Sequence, residues 1–195
     1  LPLLKELDLS NLRNIPANNF LFPKVYDPNT DTGLKSIEKL ILSNVTLTDA
    51  SSYTLDVRDC KNLSYLDISN SNITSVLLSD SASLRYYNLS NTAIRTLTIS
   101  NQAFLESLIL SGCNDLEEIV INNCNSLTNL VLPLNVKRLT ITNCEFLDEL
   151  RVTYTSINNS ISNLELINVD NCPNLRLFDI SGQNNQTLKV NLIGA

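Results

Sequence analysis

The chain has 195 residues, enough for one domain with a sizeable core. Its formal net charge of −6 comes from 20 acidic residues against 14 scattered basic ones, so nucleic acid and anionic lipid find no basic stripe to grip. No apolar run approaches the ~18 residues of a membrane helix, so membrane insertion by this segment is not expected. The sequence opens on Leu4, Leu7 and Leu9, already inside a repeat and without an initiator Met, and reads as part of a longer protein.

One block organises the rest. Leu105, Leu108, Leu110 and Cys113 spell L-x-x-L-x-L-x-x-C, and Leu116, Ile119, Ile121 and Cys124 repeat it 11 residues later (116 − 105). Registered on the second apolar residue, a first series runs Leu7, Leu40, Leu66, Tyr87, Leu108, Leu130, Leu150, Phe178. A second runs Leu55, Val76, Leu97, Ile119, Leu139, Ile167, Leu188. From Leu66 to Leu150 the first series steps by 21, 21, 22 and 20 residues, so one full turn holds two L-x-L segments. Each segment alternates apolar and polar, as in Leu97-Thr98-Ile99, which predicts a short strand. No segment sustains a helical period.

Three segments interrupt the rhythm. The first is 14–33, where Phe20, Phe22 and Val25 offer a degenerate second-face strand. The others are 46–52 and 155–160, both expected to bulge as surface loops. Between Leu130 and Leu139 the step shortens to 9, and Pro133 marks the tightened corner.

The corners have their own pattern. Two residues after each L-x-L stands Asn11, Asn44, Asp59, Asn70, Asp80, Asn91, Asn101, Gly112, Asn123, Asn143, Asn171 or Gly182, broken only by Leu134, Tyr154 and Leu192. Asn, Asp and Gly tolerate positive φ, so this column predicts left-handed corner residues. The column after it contains all five cysteines, Cys60, Cys113, Cys124, Cys144 and Cys172, alongside Ser71, Thr92 and Gln102. Small or hydrogen-bonding side chains turned under a corner explain that column, and the thiols are expected buried and reduced. Stacked Cys124, Cys144 and Cys172 would also lie within disulfide range, although parallel side-chain directions disfavour the bond.

These blocks resemble leucine-rich repeats, whose strand signature L-x-x-L-x-L-x-x-N/C-x-L is met by Leu105 to Leu116 with one extra residue. The doubled form, with the block in both halves of a ~21-residue unit, looks like the repeats of bacterial secreted and surface proteins. The resemblance covers nearly the whole chain apart from 14–33. It implies a secreted or cell-surface location and a binding role, with no family catalytic residue to carry over. Ordinary horseshoes curve because a bulky helix lies outside the strand. Strand-like segments on both sides here predict an all-β (mainly β) repeat solenoid of about eight coils, with weak curvature and two flat faces. Its ends are expected to be covered by a flanking domain or subunit, since open strand edges recruit other strands.

Chemistry-bearing patterns are few. Asp27, Asn29 and Asp31 with Glu38 form a D-x-N-x-D…E spacing that suggests calcium, but Gly33 falls one place late and no helices flank it. A polar surface turn explains the same residues, so no metal or cofactor is expected. Glu117–Glu118 and Asp148–Glu149 are adjacent on strands and point to opposite sides, which excludes paired acid/base work. No His activates a Ser or Cys. The expectation is a non-catalytic recognition module for a protein or glycan, with a rigid structural spacer as the alternative. Its candidate contacts are the outward residues of the first face: Tyr65, Tyr86, Asp67, Asn88, Ile109, Val131 and Arg151.

Overall fold

Side chains that alternate inward and outward over a few residues leave the backbone groups to pair sideways, and here they pair coil upon coil. The computed structural model describes residues 4–17, 35–49, 51–80, 83–152, 164–180 and 186–194. Among these it is all-β, without a helix. The first coils hold β1 (Glu6–Asp8), β2 (Ile15–Pro16), β3 (Lys39–Ile41), β4 (Leu47–Thr48) and β5 (Thr54–Asp56). Next come β6 (Tyr65–Asp67), β7 (Ser75–Leu77), β8 (Tyr86–Asn88), β9 (Thr96–Ser100), β10 (Ser107–Ile109) and β11 (Glu118–Asn122). The chain continues through β12 (Asn129–Leu132), β13 (Arg138–Thr142), β14 (Glu149–Val152), β15 (Leu166–Asp170), β16 (Leu177–Asp179) and β17 (Lys189–Ile193).

All strand pairs are parallel and join successive coils. The first face is the ladder β1-β3-β6-β8-β10 followed by β12-β14-β16. The second is β5-β7 followed by β9-β11-β13-β15-β17. From β6 onward this makes about 6 regular turns, and the two coils before β6 are irregular on their second face. Both faces advance by one strand per coil, so neither is wider than the other and no wedge forces curvature.

The core is the inward column of each strand. Leu40, Leu66, Tyr87, Ile119, Leu139, Leu150 and Ile167 are all fully buried, each flanked by a second buried residue two places on. Each such Leu or Ile contributes about 1.5–3 kcal/mol relative to exposure. On the outermost strand β17 the same column thins, leaving Val190 and Leu192 exposed.

The corner prediction holds at most positions. Asn11, Asn44, Asn70, Asn91, Asn101, Asn123, Asn143, Asn171 and Gly112 all have positive φ. Asp59 and Asp80 do not, and Gly182 lies outside the described residues. The left-handed asparagines stack into side-chain ladders. Asn91 Nδ2 donates to Asn70 Oδ1 at 2.9 Å, Asn123 to Asn101 at 2.8 Å, and Asn171 to Asn143 at 2.8 Å. Gly112 ends the first of these, because a Cβ there would stand 1.9 Å from Asn91 Oδ1.

One register expectation is corrected. Val190, not Leu188, pairs with Ile167, which moves the last corner from Leu192 to Gly194 at φ +61. The overlooked signal was the glycine itself, aligned with Asn171.

The interruptions are refined. Ile15–Pro16 pairs with Leu47–Thr48, so the edges of two of them add a short ladder of their own. The amide of Asn72 stands in for a strand beside Leu47, accepting from its N at 2.8 Å and donating to its O at 2.7 Å. Thr74 then bonds Tyr53, so Leu47 to Tyr53 spans more residues than the Asn72 to Thr74 stretch it faces. Phe20, Phe22, Val25 and the segment 155–160 lie outside the described residues.

Candidate functional site

On the first face the outward residues form two columns, one on each side of the buried central residue. The column before it reads Glu6, Lys39, Tyr65, Tyr86, Ser107 in unbroken register. Parallel in-register strands place identical side chains one above the other, and the tyrosines respond by stacking. Their ring centroids are 4.4 Å apart and their planes differ by 7°. The Lys39 ammonium sits 5.5 Å from the Tyr65 centroid and is held by Glu6 at 2.6 Å. Burial, and then neighbouring Tyr86, push the Tyr65 hydroxyl up to about 12.

The column after the central residue reads Asp8, Ile41, Asp67, Asn88, Ile109 along the first ladder. Asp67 Oδ1 accepts from Ser69 N at 2.9 Å, and Asn88 Oδ1 accepts from Ser90 N at 3.0 Å and Ser90 Oγ at 2.8 Å. Those oxygens thus help turn the corner as well as facing out. Ile109 is half-buried and Val131 is 49% exposed. Arg151 is exposed and paired with Glu149 at 3.1 Å.

The seven candidates do not share one continuous sheet. Tyr65, Tyr86, Asp67, Asn88 and Ile109 belong to the first ladder, and Val131 and Arg151 to the second, beyond the break between β10 and β12. The break falls in the coil from Leu108 to Leu130, the one with the 22-residue step. A cleft of about 320 Å³ opens there, lined by residues from Glu106 to Ser111 together with Asn129 and Val131. The second face has its own break between β7 and β9, where Gln102 Nε2 reaches across to Ser79 O at 2.6 Å.

Sequence reasoning missed the neighbours that frame this site. Arg85 lies 5.2 Å from the exposed Phe104 ring and pairs with Glu106 at 2.7 Å. Lys39, Ser107 and Asn129 also border it. Lys39, Ser107 and Asn129 stand just ahead of an inward leucine, so following that column as closely as the one behind would have found these three.

The adjacent carboxylates are each tied to a cation. Glu117 pairs with Lys137, Glu118 with Arg138, Asp148 with Arg176 and Glu149 with Arg151. The hydrogen bond from Arg176 holds the Asp148 carboxyl below its ordinary value.

All five cysteines are free and buried. Cys124, Cys144 and Cys172 each direct Sγ toward the carbonyl two residues back, at 3.6, 3.5 and 3.5 Å. Burial pushes the Cys60 and Cys124 thiols up to about 11. Ser71 and Thr92 fill the same corner role, donating to Ile68 O and Leu89 O.

Among the described residues, no group of three or more His, Cys, Asp or Glu is placed to hold a metal. Asp27, Asn29 and Asp31 lie outside those residues, and Glu38 is ion-paired with Lys5 at 2.7 Å. No described helix is long and apolar enough to cross a membrane. No family model matches the chain, and no curated protein matches it either.

Proposed function

We propose that this chain is a recognition module of leucine-rich-repeat type, without catalysis and without a cofactor, working at a cell surface or after secretion. It binds a protein or glycan partner through the first face. The observation that carries this reading is the Tyr65–Tyr86 stack, two aromatic rings kept parallel and partly exposed on the first face. Rigid aromatic surface with polar tips gives contact area at little entropic cost, which suits it to binding.

A second reading is supported by the asparagine ladders and the ion pairs that link coil to coil, which suit a stiff spacer. The two readings separate on one experiment. The protein and its Tyr65→Ala/Tyr86→Ala variant are applied to printed glycan and surface-protein arrays, with circular dichroism confirming the fold. The recognition reading expects partners whose signal falls about tenfold or more in the variant. An identical pattern for both proteins refutes it and favours the spacer.

A further inference from the structure

On the second face β7 ends one ladder and β9 begins the next. The cleft between them has a volume of about 300 Å³, at the small end of ligand sites, which run from about 300 to 1,000 Å³. Leu97 and Ile99 of β9 are buried, so alternation turns Thr96, Thr98 and Ser100 outward, where all three line the cleft. From Thr96 to Ser100 this row of hydroxyls runs about 13 Å. Ser75 and the exposed Leu77 stand on the β7 wall, with Asp80 and Arg58 also in the lining.

Hydroxyls elsewhere in the chain bond within the protein. Ser71 donates to Ile68 O, Thr92 to Leu89 O, and Thr142, on this same face, to Asn122 Oδ1 at 2.9 Å. The cleft is different. Among the described residues, the hydroxyls of Ser75, Thr96, Thr98 and Ser100 have no hydrogen-bond partner, and the Asp80 carboxylate has neither a hydrogen-bond nor an ion-pair partner. Arg58 is already committed, bonded to Asp56 at 3.0 and 2.7 Å.

We propose that the cleft between β7 and β9 is a binding site for a short stretch of neutral oligosaccharide. The inference goes beyond the first-face reading and uses none of its residues. Each hydroxyl of the row both donates and accepts, as sugar hydroxyls do, so the two sets satisfy each other. The Asp80 carboxylate has two oxygens to accept from neighbouring hydroxyls of one ring. Leu77, apolar among these polar groups, takes the C–H face of a ring. The row is longer than a single ring, which calls for more than one sugar. Charge selects against ions of either sign. An anion meets the unpaired Asp80 and finds Arg58 neutralised by Asp56. A lysine side chain would satisfy Asp80 yet leave the hydroxyl row facing a chain that cannot bond it.

The test is saturation-transfer and amide-shift NMR on the intact chain, with cellobiose, maltose, lactose and N,N′-diacetylchitobiose as probes and N-acetyl-lysine amide as the cationic competitor. At least one disaccharide is expected to receive saturation and to shift the backbone amides of Thr96 and Thr98. The double variant Thr96→Val/Thr98→Val keeps the β-branched shape, removes only the hydroxyls, and weakens that binding about tenfold. Asp80→Ala weakens it to a similar degree, whereas Tyr65→Ala/Tyr86→Ala leaves it unchanged. Absence of saturation for every disaccharide at tens of millimolar overturns the proposal, as does binding that the double valine variant leaves intact. Binding of the lysine amide alone assigns the cleft to a basic side chain and overturns it too. Sugar binding that depends on Tyr65 and Tyr86 instead places the sugar on the first face, which sinks this site and leaves the recognition reading standing.

Discussion

The left-handed corners give a prediction whose sign can be worked out in advance. Asn123 has φ +54, and its Nδ2 donates to Asn101 Oδ1 at 2.8 Å. Asn123→Ala and Asn123→Gly both lose that bond, worth about 0.5–1.5 kcal/mol, so it cancels when the two variants are compared. Alanine in the left-handed region adds about 1–2 kcal/mol of steric cost. Glycine avoids that cost but adds about 0.4–1 kcal/mol through its freer unfolded chain. The difference leaves Asn123→Ala about 1 kcal/mol less stable than Asn123→Gly. Asp59 occupies the equivalent place in an earlier coil without positive φ. There the steric term vanishes and the order reverses, with Asp59→Ala more stable than Asp59→Gly by about 0.4–1 kcal/mol. Urea denaturation measures all four variants, and an unchanged m-value shows that the whole solenoid melts in each. Equal stability of the two Asn123 variants, or the same order at both positions, refutes the backbone explanation of the asparagine column.

Two other outcomes follow from the core. Tyr87 is fully buried and its hydroxyl has no hydrogen-bond partner. Tyr87→Phe removes that unsatisfied group and raises stability by about 1 kcal/mol in the same urea assay, whereas a loss of stability would mean that the hydroxyl is bonded after all. The five cysteines, buried and free, are expected to resist an aromatic disulfide reagent at mildly alkaline pH while the chain is folded and all to react once it is denatured. Fast reaction of several thiols in the folded protein, or fewer than five after denaturation, contradicts this arrangement.

Much of the scaffold was legible without coordinates. Fourteen of the fifteen registered blocks fall on the strand and register expected of them, Leu188 being the exception for which Val190 substitutes. The in-out alternation is a local property of each L-x-L, and burial of one face enforces it because a one-residue slip would expose the whole apolar set. The corner asparagines were equally readable, since positive φ is a demand of a single residue. Asp59 and Asp80 show the limit of that signal: aspartate tolerates the left-handed region but does not require it.

The candidate site was less legible. Tyr65 and Tyr86 could be placed on neighbouring coils from their spacing. Their ring-on-ring contact and the Lys39 cover depend on how one coil sits upon the next. Asp67 and Asn88 read as free outward groups, yet each lends an oxygen to its own corner.

The sequence by itself determined the period, the two strand faces, the buried column and most of the left-handed corners, because each follows from residues close together in the chain. Only the tertiary structure decided where the ladders break, how the interrupted coils pair, and that a cleft opens between β10 and β12. Those depend on the perimeter and rotation of one coil relative to its neighbour. A single extra residue in the coil from Leu108 to Leu130 accompanies the parting of β10 from β12, and nothing local to either strand announces it.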